Sequence, residues 1–273
     1  MNGFTIWQRA VAVWTAAGDR NIGLIAAGVA FFGMFGVFPG IAAVIAVFGL
    51  VADPVIVAEQ LALMEDVIPE DAYAILQSQV QLVLGARSNT LGWATVVSLG
   101  LAIWSARAAV AALLGGINAI EGVPPRSGLW QAIVALVLTV ALVSLAVVAL
   151  ATIVILPVII AYAPIEIATA RILELSRWAI ALAVLLSGLG LLYRFGPNLR
   201  GLRRPWLSIG SVLVVFVWIG ASVGLSYYLG QFADYQAVYG SIGAVIGMLL
   251  WMYVTAYLIL LGAVLNAQVY PSA

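Results

Sequence analysis

LGWATVVSLGLAIWSARAAVAALLGGINAIE, residues 91–121, is the stretch whose reading decides the fold. It is apolar enough along its length to cross a bilayer, and one charge, Arg107, sits inside it. On a helix, steps of three, four and seven residues share a face. Gly100, Trp104, Arg107, Ala111, Leu114 and Asn118 therefore form one stripe, with Ala108 and Gly115 as a small-residue edge beside it. An arginine within a membrane segment is costly, and it normally faces a bundle interior or a watery cavity.

The rest of the composition agrees with lipid as the main solvent. The chain has 273 residues, of which 65% are hydrophobic and 8% charged. A soluble domain carries about 25% charged residues. Mean hydropathy is +1.17. Eleven basic and eleven acidic residues cancel, so no bulk charge draws the chain to nucleic acid. Every basic residue is Arg, and both His and Cys are absent. Disulfides, thiol nucleophiles, His acid–base chemistry and the commonest zinc ligands are thereby excluded. The expectation is a protein with no metal and no cofactor, and not an enzyme.

Working outward, residues 1–20 place Phe4, Trp7, Val11 and Trp14 on one helical face. That suits either a helix lying in the membrane interface or an amphipathic leader packed on the bundle. Asn21 to Val51 is uncharged over 31 residues, about 46 Å as a helix, against a hydrocarbon core of roughly 30 Å. Pro39 lies inside it among Gly33, Gly36 and Gly40, and marks a kink that is either a hinge or a packing bend. Residues 53–90 hold six acids against Arg87 alone, with a helix start at Pro69–Glu70–Asp71. They read as amphipathic helices on the outer face, the acids forming a solvated surface and not a metal cluster. Further spans follow at about 129–157, 172–193 (the shortest), 206–232 and 240–268, after those at 24–51 and 91–120. Gly220/Gly224 and Gly243/Gly247 have the small-xxx-small spacing that lets membrane helices approach closely. The fold class is all-α, a polytopic membrane bundle of six transmembrane helices plus interfacial helices, forming one domain over residues 1–273.

Six spans put both ends on one side. With those ends in the cytoplasm, the inside holds Arg9, Arg20, Arg126, Arg194, Arg200, Arg203 and Arg204, and the outside Arg87, Arg171 and Arg177. Seven against three satisfies the positive-inside rule. Nine acids then fall outside, and Asp19 and Glu121 inside.

Three passages resemble the YihY/BrkB virulence-factor family of bacterial inner-membrane proteins: WSARAAVAALLGGINAIEGVPPRSGLW (104–130), LYRFGPNLR (192–200) and YGSIGAVIGMLLWMYVTAYLILLGAVLNAQ (239–268). The resemblance covers nearly the whole chain, beginning at AAGVAFFGMFGVFPG (26–40). It implies six membrane helices and a plasma-membrane location. Members of the family have been labelled as a transfer-RNA-processing ribonuclease, linked to serum resistance, or described as transporter-like or lipid-trafficking. The last helix commonly reads GAELN in the family; here it reads Gly262–Ala263–Val264–Leu265–Asn266, with Val264 in the carboxylate's place.

Arg107, with Trp104, Asn118 and Asn266, is the candidate ligand site. The arginine has three open readings: a snorkelling residue, a pocket residue holding a phosphate or carboxylate, or a structural hydrogen-bond donor. Arg194, Arg200, Arg203 and Arg204 crowd one loop, as a topology signal or a contact for anionic lipid headgroups. Tyr227, Tyr228, Tyr235 and Tyr239 around Asp234 fit an aromatic belt or a lid. Ribonuclease chemistry needs a general acid and base, or metal-binding carboxylates, on a surface that attracts RNA. A chain without His, its acids mostly on the face away from the cytoplasm, does not meet that need. Two functions remain: a transporter-like or lipid-handling protein with a polar cavity around Arg107, or a membrane scaffold for envelope partners. Expected partners are membrane lipids, with envelope proteins or a second copy of the chain beyond them, and no nucleic acid.

Overall fold

The computed structural model of the chain describes residues 6–51, 88–162, 167–199, 204–231 and 241–270. All regular structure among them is helical: α1 Ile6–Asp19, α2 Ile22–Val51, α3 Ser88–Glu121, α4 Gly128–Tyr162, α5 Ile167–Phe195, α6 Ile209–Gln231 and α7 Ser241–Val269. Helices satisfy their own backbone hydrogen bonds, which lipid cannot do for them. Among the described residues, five segments are long and apolar enough to cross a membrane, in α3, α4, α5, α6 and α7. A sixth arises if α1 and the start of α2 form one broken span, bent by 64°. The chain is thus a polytopic helical membrane protein, with five to six candidate spans among the described residues.

That bend sits at Asn21, whose φ of 52° is left-handed. Asn tolerates this region better than most non-Gly residues. Pro39, where a kink is expected, lies within α2, which runs on as helix to Val51. Likewise α4 continues past Pro157 to Tyr162, and α5, at 29 residues, is longer than α6, at 23. Residues 53–87 lie outside the described part of the chain, as do Asp234, Tyr235 and Tyr239.

The described residues fall into two compact units, one within Gly33–Ala106 and one within Met1–Phe32 plus Arg107–Ala273. In the smaller, α2 and α3 approach closely: a Cβ on Gly36 would lie 3.3 Å from the Ser105 side chain. Trp93, Val96, Val97, Ile103 and Trp104 are exposed along α3.

In the larger unit, α6 packs along α7, α4 pairs with α5, α5 also meets α6, and α1 rests on α7. The buried side chains gather at one end of these helices. They come from the start of α2 (Ile22, Ala26), the end of α3 (Leu114, Ile117), the start of α4 (Ala135, Leu138), the end of α5 (Leu189, Tyr193), the start of α6 (Val214, Val215) and the end of α7 (Leu260, Ala263). Toward the other end, Val143, Val147, Leu175, Trp178, Val223, Val245 and Ile246 are exposed. Such surface is tolerated only against lipid or a partner. α1 joins the core through Ala17, with Val13 and Ala16 packed against it, whereas Val11 and Trp14 face outward, Trp14 at 71% exposure. Of the stripe Phe4, Trp7, Val11 and Trp14, the two described side chains, Val11 and Trp14, thus face away from the bundle, as an interfacial helix requires.

Among the described glycines, the close helix contact is not at the Gly220/Gly224 pair, beside which a Cβ would meet nothing within 4 Å. It lies between α6 and α7, where a Cβ on Gly210 would come within 2.3 Å of the Gly262 carbonyl oxygen. The backbones touch there because neither residue has a side chain.

Candidate functional site

The packed end carries the polar chemistry, and most of it serves to terminate helices. α3 ends at Glu121. Gly122, with φ of 68°, takes the left-handed position, and the Val123 amide donates to the Asn118 carbonyl at 3.0 Å, the longer bond of a Schellman cap. Pro124 and Pro125 prevent the helix from resuming.

Arg126 then turns back onto the end of α5. Its Nη1 donates to the Gly196 carbonyl at 2.7 Å, and its Nη2 to those of Phe195 and Pro197 at 3.1 and 2.9 Å. A helix end leaves carbonyls without partners, and a cation there also meets the negative end of the dipole. Burial lowers the Arg126 pKa from its ordinary value, and the three carbonyls favour the cation. Asn118, from α3, joins the same loop: its Oδ1 accepts from the Asn198 amide at 2.9 Å, and Asn198 Nδ2 donates to the Pro124 carbonyl at 3.1 Å.

Glu121 and Arg204 form a buried ion pair, Nη2 to Oε2 at 2.5 Å and Nε to Oε1 at 3.2 Å. Arg204 Nη1 also donates to the Tyr270 carbonyl, so one guanidinium joins the end of α3 to the end of α7. Arg194 donates Nη1 to the Arg204 carbonyl at 2.8 Å and lies 5.5 Å from the centroid of the Trp206 ring. Ser208 caps α6, its Oγ accepting from the Ser211 amide at 3.1 Å. Asn266 binds this cap from α7, Nδ2 to Ser208 Oγ at 2.9 Å and Oδ1 from the Gly210 amide at 2.9 Å. A cavity of about 250 Å³ opens beside these groups, lined by Arg20, Glu121 and Gln268 over an apolar wall that includes Val264. Arg20 donates to the Ala119 carbonyl at its edge.

The four candidate ligand residues are not one site. Asn118 and Asn266 are buried and bonded as described, and Trp104 is half-exposed, at 49%. Arg107 is eleven residues before Asn118, about 16 Å along a helix, so the two do not reach one small anion. Arg107 itself is half-buried and, among the described residues, has no hydrogen-bond, ion-pair or ring partner. In the arginine cluster, Arg204 is committed to Glu121, Arg194 is not ion-paired among the described residues, and Arg200 and Arg203 lie outside those described. At this packed end the buried donors Asn118 Nδ2 and Arg194 Nε have no partner among the described residues.

Read from sequence, Glu121 was merely an inside acid and Arg126 an inside base; their roles as ion-pair partner and helix cap were missed. Gly122–Val123–Pro124 was the available signal for the α3 end, and Ser208 before an apolar run for the α6 start.

Residues 13–271 match the family model described as virulence factor BrkB. The chain belongs to the BrkB family. The ribonuclease-like protein YfkH of Bacillus subtilis is 29% identical over 222 residues, 78% of each chain. A UPF0761 membrane protein of Tolumonas auensis is 30% identical over 82 residues, 30% of this chain and 27% of its own. Another, from Ralstonia nicotianae, is 40% identical over 86 residues, 31% of this chain and 19% of its own. No solved structure matches. The three passages that carry the BrkB resemblance meet at the packed end: the first supplies Asn118, Glu121 and Arg126, the second Tyr193, Arg194 and Asn198, and the third Gly262 and Asn266. Val264 stands in this BrkB chain where a carboxylate is common, and it is buried, at 2% exposure.

Proposed function

We propose that this BrkB-family protein is a transporter-like, lipid-handling protein of the bacterial inner membrane, and that Arg107 is the residue meeting the anionic group of its cargo. The observation that carries the reading is Arg107: a half-buried cation inside an otherwise apolar run of α3, with no partner among the described residues. A charge in that position is costly unless something polar meets it. Arg suits a phosphate because its planar fork donates two parallel hydrogen bonds. The packed end faces the cytoplasm in this reading, since Arg20, Arg126, Arg194 and Arg204 all lie there and positive residues are retained inside. No catalytic step is proposed. The ribonuclease-like name of the Bacillus relative is not carried over, because the chain has no His and two of the arginines at the packed end, Arg126 and Arg204, serve as a helix cap and an ion-pair partner.

The test uses the full chain in vesicles holding a fluorescent anionic lipid in one leaflet. Transfer between leaflets is followed as loss of fluorescence to an external quencher. Arg107→Lys, which keeps the charge and loses the fork, should slow transfer in part, and Arg107→Leu should abolish it. Full transfer by Arg107→Leu, or none by the natural chain, overturns the reading. A scaffold for envelope partners is then the better account, favoured by the exposed apolar faces of α4, α5 and α6.

A further inference from the structure

The face of α6 that turns away from α7 forms a groove of about 440 Å³ lined almost wholly by carbon: Leu207, Ile209, Val212, Leu213, Phe216 and Val217. These residues recur at helical spacing and are 40–72% exposed, so they make one continuous stripe with none of the described residues packed upon it. The groove begins one residue after Trp206. Above the Trp206 ring, at 5.5 Å, lies the Arg194 guanidinium. Its hydrogen bond goes to the neutral Arg204 carbonyl, and its Nε is buried without a partner among the described residues. Among the described residues no carboxylate pairs with Arg194, and Glu121 is taken by Arg204. A cation with no counter-charge among the described residues thus stands over Trp206, one residue before a hydrocarbon groove.

We propose that this is a binding site for an anionic phospholipid, one acyl chain lying along α6 and the headgroup phosphate at Arg194. The charge arrangement selects this occupant over a second copy of the chain. Residues 206–231 contain no Asp or Glu, so the same face of another copy brings no counter-charge to Arg194. A headgroup without a balancing ammonium supplies that charge, and an indole just before the apolar run of α6, as Trp206 is, suits the boundary between headgroup and tail. The site does not involve Arg107, so it stands or falls apart from the proposed function.

The test places the full chain in phosphatidylcholine bilayer discs containing either phosphatidylglycerol or phosphatidylcholine with a spin label on one acyl chain. The fraction of immobilised label is read by electron paramagnetic resonance. The natural chain should hold the anionic lipid with about a fivefold preference, the attraction of one surface arginine. Arg194→Gln should reduce that preference to none while leaving total immobilised lipid similar. Leu213→Trp, which fills the groove without touching the arginine, should lower immobilisation of both lipids. Equal immobilisation of both lipids by the natural chain overturns the site, as does a preference that survives Arg194→Gln. Cross-linking of two chains through cysteines placed at Phe216 would show a second copy on the groove and overturn it as well.

Discussion

Arg204 and Glu121 meet through both ends of the carboxylate, with side chains only 7% and 2% exposed, and the pair ties the loop before α6 to the end of α3. Removing one partner of a buried pair leaves an uncompensated charge and costs about 3–5 kcal/mol. Glu121→Gln and Arg204→Leu should each lower the thermal midpoint of the purified chain in detergent markedly. The double replacement Glu121→Leu with Arg204→Leu should recover much of the loss, since matched apolar residues remove the desolvation penalty together. Strictly additive losses in the two single variants and the double would contradict the pairing.

Arg126 makes three charged hydrogen bonds to carbonyls at the end of α5. Arg126→Ala should loosen that end, and hydrogen exchange should quicken at the amides of Gly196, Asn198 and Leu199. Hydrogen bonds to a charged group contribute about 1.5–3 kcal/mol each at most, and Arg126→Lys, a point charge without the fork, should restore only part of the protection. Unchanged exchange in Arg126→Ala would show the cap to be dispensable.

The glycines separate into two kinds. Gly210→Ala should destabilise by about 1–3 kcal/mol, because its Cβ meets backbone and Asn266, neither of which yields easily. Gly220→Ala and Gly224→Ala should be neutral or slightly stabilising, since each Cβ enters open space and Ala favours helix over Gly. Thermal midpoints of the three variants in one detergent give the comparison, and equal losses at positions 210 and 220 would refute it.

Orientation is a separate matter. Reporter fusions ending at Asn89, before the first apolar turn of α3, and at Asn198, after α5, should report opposite sides, with Asn198 in the cytoplasm. Reports from the same side would remove the basis for placing the packed end inside.

The helices themselves were legible in the sequence, because lipid demands long apolar runs and the chain supplies them almost without interruption. What the runs do not reveal is which face of each is buried. When both faces are apolar, periodicity carries little information, and so the small-xxx-small pair at Gly220 and Gly224 looked no different from the true contact at Gly210 and Gly262. The polar residues misled in another way. Asn118 and Asn266 were grouped with Arg107 because they share a helix face or a family passage, yet in the fold each satisfies backbone amides that its own neighbourhood leaves bare. Sequence spacing places a polar side chain on a face. It does not say whether a loop from another helix will arrive there to use it, as Asn198 does.

The gathering of buried side chains at one end of the larger unit gives its helices a fulcrum. A helix of 29 residues such as α5 or α7 is about 44 Å long. If the polar joints at Arg126, Arg204 and Asn266 give by a few degrees, the opposite tips travel several ångströms, while the side chains out there lose little because few of them are interlocked. Motion in this unit is therefore cheapest where it is largest, and the residues that set its stiffness are the caps and ion pairs at the far end from where the displacement would be seen.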